Sequence, residues 1–434
     1  NTNITAVVND RSTISEANDP YNVKVTNVSG LSAALGEGLQ VNSSPAFSVA
    51  AGSLGSFIDG NSVGTISCGA TDVESDTLTF SIASGALPNG LSQNTSNGNI
   101  TGTLNTSVGS ATTYNFTVAA TDPASNRVTR AYSIVVSPPP TGGTVTNATI
   151  GGQSFRIHTF TSDGQFVSAG GLSQVDALVV AGGGSAGARH AGGGGAGGVL
   201  HITGATINAG TYAADLGEGG GRSPDTQPGT SGQNTTFFGE TANGGGRTNA
   251  YTGTCYTQNG GSGGGQSGRH CNQTGSATQG NPSQYSGTGY GNAGGTTNST
   301  SRHFGGGGGG AGGAGQNASS NSMNDCQGGA GVQINIDGNN RYWAGGGGGN
   351  GYSNGQGGQA GNGGAGGGGG GGKSPNANVG SGGGQSLNSG GAGSGDQGGD
   401  AGGNTGGGGG GGSQEGPGRG GAGGRGIVIV KLPN

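Results

Sequence analysis

Charge is scarce in this chain: Asp, Glu, Lys and Arg make up 8% of its 434 residues, 15 basic against 20 acidic, for a formal net charge of −5. Nucleic-acid binding needs a clustered basic patch, so the composition argues against that class. Aromatic residues are 5% of the chain, and Met and Trp occur once each. No apolar run approaches the roughly 18 residues of a membrane span, and no signal peptide is visible. The chain begins at Asn1 rather than Met, as expected of a processed product or a fragment. Four cysteines give a thin redox signal.

Glycine is what the chain has instead: 114 residues, concentrated between residues 181 and 426 in runs such as 305–310, 345–349, 366–372 and 406–412. Glycine has the most backbone entropy to lose and no side chain to bury, so such runs weaken helices and strands alike. A flexible linker is one reading. Against it, the runs are bracketed by strand-like sequence, VDALVV at 175–180 and IVIVKL at 427–432. Collagen fails on period, because glycine comes in unbroken runs and only 13 prolines are present. What remains is a bundle of extended helices of the polyproline II type, built from glycine, with three residues per turn and no internal hydrogen bonds. Their N–H and C=O groups point sideways and can bond neighbouring helices once side chains are absent. A run of 6–10 residues would span about 20–30 Å at about 3.1 Å per residue, with the sequence between runs forming exposed loops.

Residues 44–137 read as a small β-sandwich. Alternating segments TLTFSIA (77–83), YNFTVA (114–119) and AYSIVV (131–136) are separated by turns such as LPNG (87–90) and SNGN (96–99), with no helix signal between them. The stretch through LPNGLS and GNITGT to YNFTVAATDPASNRVTRAYSIVV resembles Ig-like, cadherin-like modules of bacterial surface proteins and of structural proteins of marine phages. That sandwich is a spacer and display unit in many settings and does not specify function. Asp72, Glu74, Asp76 and Asp122 could chelate calcium, a hard cation that takes carboxylate oxygens, and cadherin-like modules bind it through similar ATD sequences. The full ligand set is missing, and capping of turns by these carboxylates is the other reading. Residues 1–43, with apolar pieces at 4–8 and 21–28, read as an attachment arm or the remnant of a preceding module. Residues 138–149, opening PPPTGG, read as a linker.

Cys255 and Cys271 lie sixteen positions apart in a polar, glycine-rich loop. A disulfide there would stabilise that loop by about 3 kcal/mol in the chain-entropy model. A zinc site using Cys255, His270 and Cys271 is the alternative, though it lacks paired CxxC-like clusters. Cys68 lies in a strand-like pattern and reads as a buried thiol.

From residue 150 the sequence runs FRIHTFTSDGQF, then VDALVV into glycine, and closes with GRGIVIVKLPN. Both ends resemble the glycine-rich domain of phage and bacterial surface proteins, which opens with a TFTSDGTF-like hairpin and ends in a GIVIVRY-like strand. With the glycine runs the resemblance covers residues 150–434. The domain is also similar in kind to distal tail-fibre adhesins of T-even-like phages, in which a polyglycine II lattice holds receptor-binding loops. The fold class expected is therefore all-β: a sandwich followed by packed polyglycine II helices framed by short strands, essentially without α-helix.

The implied role is receptor recognition, and the loop chemistry is consistent with it. Between the glycine runs lie Tyr251, Tyr256, Arg269, His270, Tyr285, Tyr290, Arg341, Tyr342 and Trp343. Exposed aromatic and Arg side chains on rigid supports give contact area at low entropy cost, and aromatic faces suit sugars. For Trp343, Tyr342 and Phe304 a plug at the end of the lattice is an equal alternative. Residues 367–374 (GGGGGGKS) match a phosphate-binding loop by letter, but no apolar strand precedes them and Pro375 follows. The pairs Arg189-His190, Arg269-His270 and Arg302-His303 lack a nearby carboxylate constellation for acid–base work. A non-enzymatic surface protein without a cofactor is expected, on a virion or outside the cell. Its partners would be a bacterial surface glycan or outer-membrane protein and, through the arm, other virion or filament proteins, with neither nucleic acid nor membrane insertion. A capsid decoration protein or extracellular filament subunit is the alternative.

Overall fold

The computed structural model describes residues 21–26, 29–39, 42–250, 255–256, 258–268, 271, 273–297, 303–318, 325–352, 359–374, 378–413 and 418–434. It divides into two compact units, Asn1–Pro139 and Pro140–Asn434. Every regular element among the described residues is a strand, so the protein is all-β.

In the first unit, β1 (Tyr21–Thr26) and β2 (Ser32–Leu39) form an antiparallel hairpin. The sandwich follows as β3 (Ala46–Phe47), β4 (Gly52–Ile58), β5 (Ser62–Ile66), β6 (Ala70–Thr71), β7 (Thr79–Gly85), β8 (Leu91–Gln93), β9 (Ile100–Thr103), β10 (Thr112–Thr121) and β11 (Arg127–Ser137). One sheet has the order β4-β11-β10-β7, with β4 parallel to β11, and the other has β5-β9-β8. Period-two alternation sends Phe116, Val118 and Ala120 of β10 and Tyr132, Ile134 and Val136 of β11 into one core. There they join Phe47, Phe80, Ile100 and Leu104. Cys68 is a buried free thiol of that core, but it sits in the connection between β5 and β6 rather than in a strand.

The second unit opens with β12 (Thr144–Ile150), so the residues expected as linker include a strand from 144 onward. Its order continues β13 (Gln153–Phe160), β14 (Gly164–Ser168), β15 (Leu172–Val180), β16 (Val199–Ile207), β17 (Gly210–Ala214), β18 (Thr235–Phe237), β19 (Glu240–Ala242), β20 (Gly287–Tyr290), β21 (Val332–Gln333), β22 (Tyr342–Trp343) and β23 (Ile427–Pro433). Six of these make an antiparallel sheet, β12-β13-β23-β15-β16-β20. The last strand inserts between β13 and β15 and is covered on both faces, which is why residues 427–430 are an unbroken apolar run rather than an alternation. The TFTSDGQF segment is not a hairpin: β13 pairs with β12 and β23, whereas β14 pairs with β17 in a separate ribbon.

One face of this sheet (Ile157, Leu178, Val180, Val199, Ile427, Ile429) packs on Trp343, Ile334 and Ile336. The opposite face presents His158 and Phe160 to a cluster of aromatic rings: His158 lies 5.2 Å from Phe166, Phe160 lies 6.1 Å from Phe237, and Phe166 lies 5.8 Å from Phe238.

Beyond the sheet the core is made of backbone. Residues 182–198 are buried almost throughout, although they carry few side chains. Their hydrogen bonds show a period of three. Ala191, Gly194 and Gly197 donate in turn to Gly412, Gly409 and Gly406. Gly193 and Ala196 donate to Gly306 and Gly309, and Gly195 and Gly198 donate to Gly246 and Asn243. Each segment thus bonds three different neighbours in rotation, as an extended threefold helix requires. Segments run in both directions: 345, 348 and 351 donate to 366, 369 and 372 in parallel, while 346 and 349 donate to 329 and 326 antiparallel. A Cβ on Gly193, Gly307 or Gly348 would lie far inside contact with a neighbouring carbonyl oxygen (of Gly347, Gln327 and Gly361), so close approach, not unusual φ, is what demands glycine here.

Candidate functional site

The chain leaves the lattice at Asn249, whose side chain is buried (1% exposed), ahead of the exposed Cys255 and Tyr256. The Asn249 amide closes on the backbone of Tyr256 from both sides: Nδ2 donates to Tyr256 O at 3.1 Å, and Oδ1 accepts from Tyr256 N at 3.0 Å. Next to it, Cys255 is joined to Cys271 in a disulfide, with their Cα atoms 5.6 Å apart. Both thiolates that a zinc site would need are therefore consumed. Beneath the Tyr256 ring lies the Arg247 guanidinium, 4.2 Å from the ring centre, with its Nε buried and lacking a hydrogen-bond partner. Tyr256 itself is 38% exposed. An exposed ring is thus held by a backbone clamp, a covalent crosslink and a cation–π stack.

The other expected contact residues divide among separate neighbourhoods. Tyr251, Arg269 and His270 lie outside the described residues. Tyr285 is half-buried against Phe238, ring centres 6.2 Å apart, and burial, then Tyr212 and Glu240, push its hydroxyl above the usual phenol range. Its loop is anchored by the buried Glu240 carboxylate, which accepts from Ser283 N, Ser283 Oγ and Gln284 N. Tyr290 packs at the edge of the Trp343 cluster. Arg341 pairs with Asp337 at 3.3 Å, and the adjacent Tyr342 is half-buried. Trp343 requires a correction. It is fully buried, its Nε1 donates to Ile334 O at 3.1 Å, and alternation along β22 turns it away from solvent into the core beneath the sheet. It is the lattice plug and not a receptor contact.

The expected calcium ligands act as caps. Asp72 Oδ1 accepts from Glu74 N, Glu74 accepts from Ser43 N and Oγ, and Asp122 Oδ1 accepts from Asn126 N. Asp76 Oδ2 accepts from Asn42 Nδ2. Hydrogen bonding from Ser43 holds the Glu74 carboxyl below its ordinary range. Desolvation, with Glu74 close by, pushes Asp72 up. Among the described residues no group of three or more His, Cys, Asp or Glu is arranged to hold a metal ion.

Arg247 and Asn249 escaped the sequence reading. Their signal is positional: an Arg and an Asn between a glycine run and a Tyr/Cys-bearing insertion. A second cluster was also missed. His190 (buried) and His303 approach at 2.8 Å, Nε2 to Nδ1, and Tyr352 stacks on His303 at 4.5 Å between ring centres. Asn350 Nδ2 donates to His303 O. The three rings come from segments more than 40 residues apart in sequence, so only the lattice brings them together.

Comparison with known proteins gives two family matches: the Putative Ig domain over residues 51–137 and the Glycine-rich domain over residues 159–400. No curated protein matches the chain. Among solved structures, protocadherin gamma B7 extracellular cadherin domains 1–4 is similar at 12% identity and TM-score 0.22, over 36% of this chain and 50% of that one. Protocadherin gamma B2 domains 3–6 is similar at 16% identity and TM-score 0.19, over 30% and 34% respectively. Overlaps this loose carry no functional argument. The chain spans half or less of the length of these two structures.

Proposed function

From the premise that the chain belongs to the glycine-rich domain family, we propose that it is a non-enzymatic adhesin, most simply a component of a phage tail fibre. In this reading a polyglycine II lattice displays loops that bind a bacterial surface glycan or outer-membrane protein. The Ig-like module beside a glycine-rich domain is the pairing of a surface or structural protein, and the adhesin reading sharpens that coarser statement.

The observation that carries it is the Tyr256 platform. A solvent-facing aromatic ring is fixed by Asn249, Cys255–Cys271 and Arg247, so little conformational entropy is lost when a partner docks. The half-buried Arg247 guanidinium brings a positive charge and N–H donors beside that ring. Ring plus donor suits the apolar face and the hydroxyls of a sugar, or an acidic loop of a membrane protein.

The test is binding of the labelled full chain to a panel of whole bacterial strains, with Tyr256→Ala and Arg247→Ala in parallel. Saturable binding to at least one strain, weakened about tenfold or more by either substitution, is expected of a buried-centre contact residue. Absence of saturable binding to any strain would transfer the assignment to capsid decoration or filament structure.

A further inference from the structure

We propose that the end of the six-stranded sheet, remote in sequence from the Tyr256 platform, holds a pocket for a neutral saccharide. Three strands change character along the same face. On β23 it runs Ile427, Ile429, Lys431; on β15 it runs Val180, Leu178, Asp176; on β13 it runs Ile157, Phe155, Gln153. The apolar half of each strand packs on the Trp343 cluster, and the polar half extends past it. There a cavity of about 550 Å³ opens, walled by Gln153, Phe155, Gln174, Asp176, Lys431 and Asn434. That volume falls within the range of small-ligand pockets.

The wall is built rather than incidental. Lys431 Nζ pairs with Asp176 at 2.6 Å and lies 4.8 Å over the Phe155 ring, while Asp176 Oδ1 accepts from Gly204 N at 2.8 Å. Gln174 has φ +57, a left-handed conformation costly for a residue with a side chain. It stands where β15 bulges out of register between Leu172 and Val175. Strain and bulges of this kind re-aim side chains and gather at ligand sites.

The chemistry selects the ligand. Asp176 and Lys431 pair within the wall, so their side-chain charges cancel. The amides of Gln153, Gln174 and Asn434 each both donate and accept, as paired sugar hydroxyls do, and Phe155 supplies one apolar surface. The inference does not depend on the adhesin reading.

Saturation-transfer NMR of the full chain with methyl glycosides of glucose, galactose, mannose and N-acetylglucosamine tests it. At least one should receive saturation, with Kd on the order of 1 mM. The double variant Gln153→Ala/Gln174→Gly should weaken it about tenfold through lost hydrogen bonds. Glycine relieves the positive φ at 174, so folding is retained, and the melting temperature verifies this. Tyr256→Ala should leave the affinity within about twofold. No transfer to any of the four glycosides, transfer unchanged in the double variant, or transfer lost in Tyr256→Ala would each overturn the proposal.

Discussion

At the scale of single residues, the second unit inverts the usual relation between side chain and core. Gly307→Ala or Gly348→Ala would drive a methyl group into a neighbouring carbonyl and should cost about 1–3 kcal/mol or more, as overpacking does. Gly384 is the control: an added Cβ meets nothing within 4 Å, so Gly384→Ala should be neutral or raise the melting temperature by restricting the unfolded chain. Trp343→Ala should cost about 3–5 kcal/mol in chemical denaturation, since it empties a fully buried site and orphans the Ile334 carbonyl. His158 gives a pH prediction. Burial is the main cause that holds its imidazole below the ordinary range, against the opposing bond to Gly142 O, and Nε2 has no partner. With the folded pKa depressed, the unfolded chain binds the extra proton. The stabilising contribution is therefore complete above about pH 6.5 and is lost as pH falls through the folded value. His201 is depressed in the same direction. Melting temperature should fall between pH 7 and pH 5, and His158→Gln, which keeps a donor but not the titration, should reduce that fall.

At the scale of elements, the threefold period dictates how insertions behave. Residues 306 and 309 donate to one neighbouring segment, 307 and 310 to a second, and 308 and 311 to a third. One extra glycine in run 305–310 turns every later N–H to the wrong neighbour, whereas three restore direction and shift the following loop by about 9 Å. Calorimetry should show the single insertion more damaging than the triple one. The β-strands were legible because alternation is local: residues 114–119 and 131–136 fall inside β10 and β11, and 427–432 inside β23. The strand at 144–150 was hidden because its residues are mostly exposed, TVTNATI, and only pairing with β13 makes it a strand. Whether the strands flanking TFTSDGQF pair with each other could not be read locally either, since their partners lie about 45 and 270 positions away.

At the scale of the whole chain, glycine content announced backbone packing, but which run lies beside which is absent from the sequence, because identical glycines carry no pairing code. The site suffered the same loss. Tyr256, Cys255 and Cys271 stood out by residue type, whereas Arg247 beneath the ring and the His190–His303–Tyr352 stack arise only once the lattice is assembled. Trp343 shows the converse: a lone large aromatic among glycines suits a plug and a contact equally until the sheet above it is known.

The account stands on glycine segments acting as a cooperative, hydrogen-bonded core, and amide hydrogen exchange reads that directly. Gly194, Gly308, Gly347 and Gly409 each donate to a neighbouring segment at 2.8–3.0 Å. Their amides should exchange as slowly as those of Val179 and Val430 in the central sheet, through global opening of the unit. Exchange of the four glycines at random-coil rates, with the sheet still protected, would contradict the account.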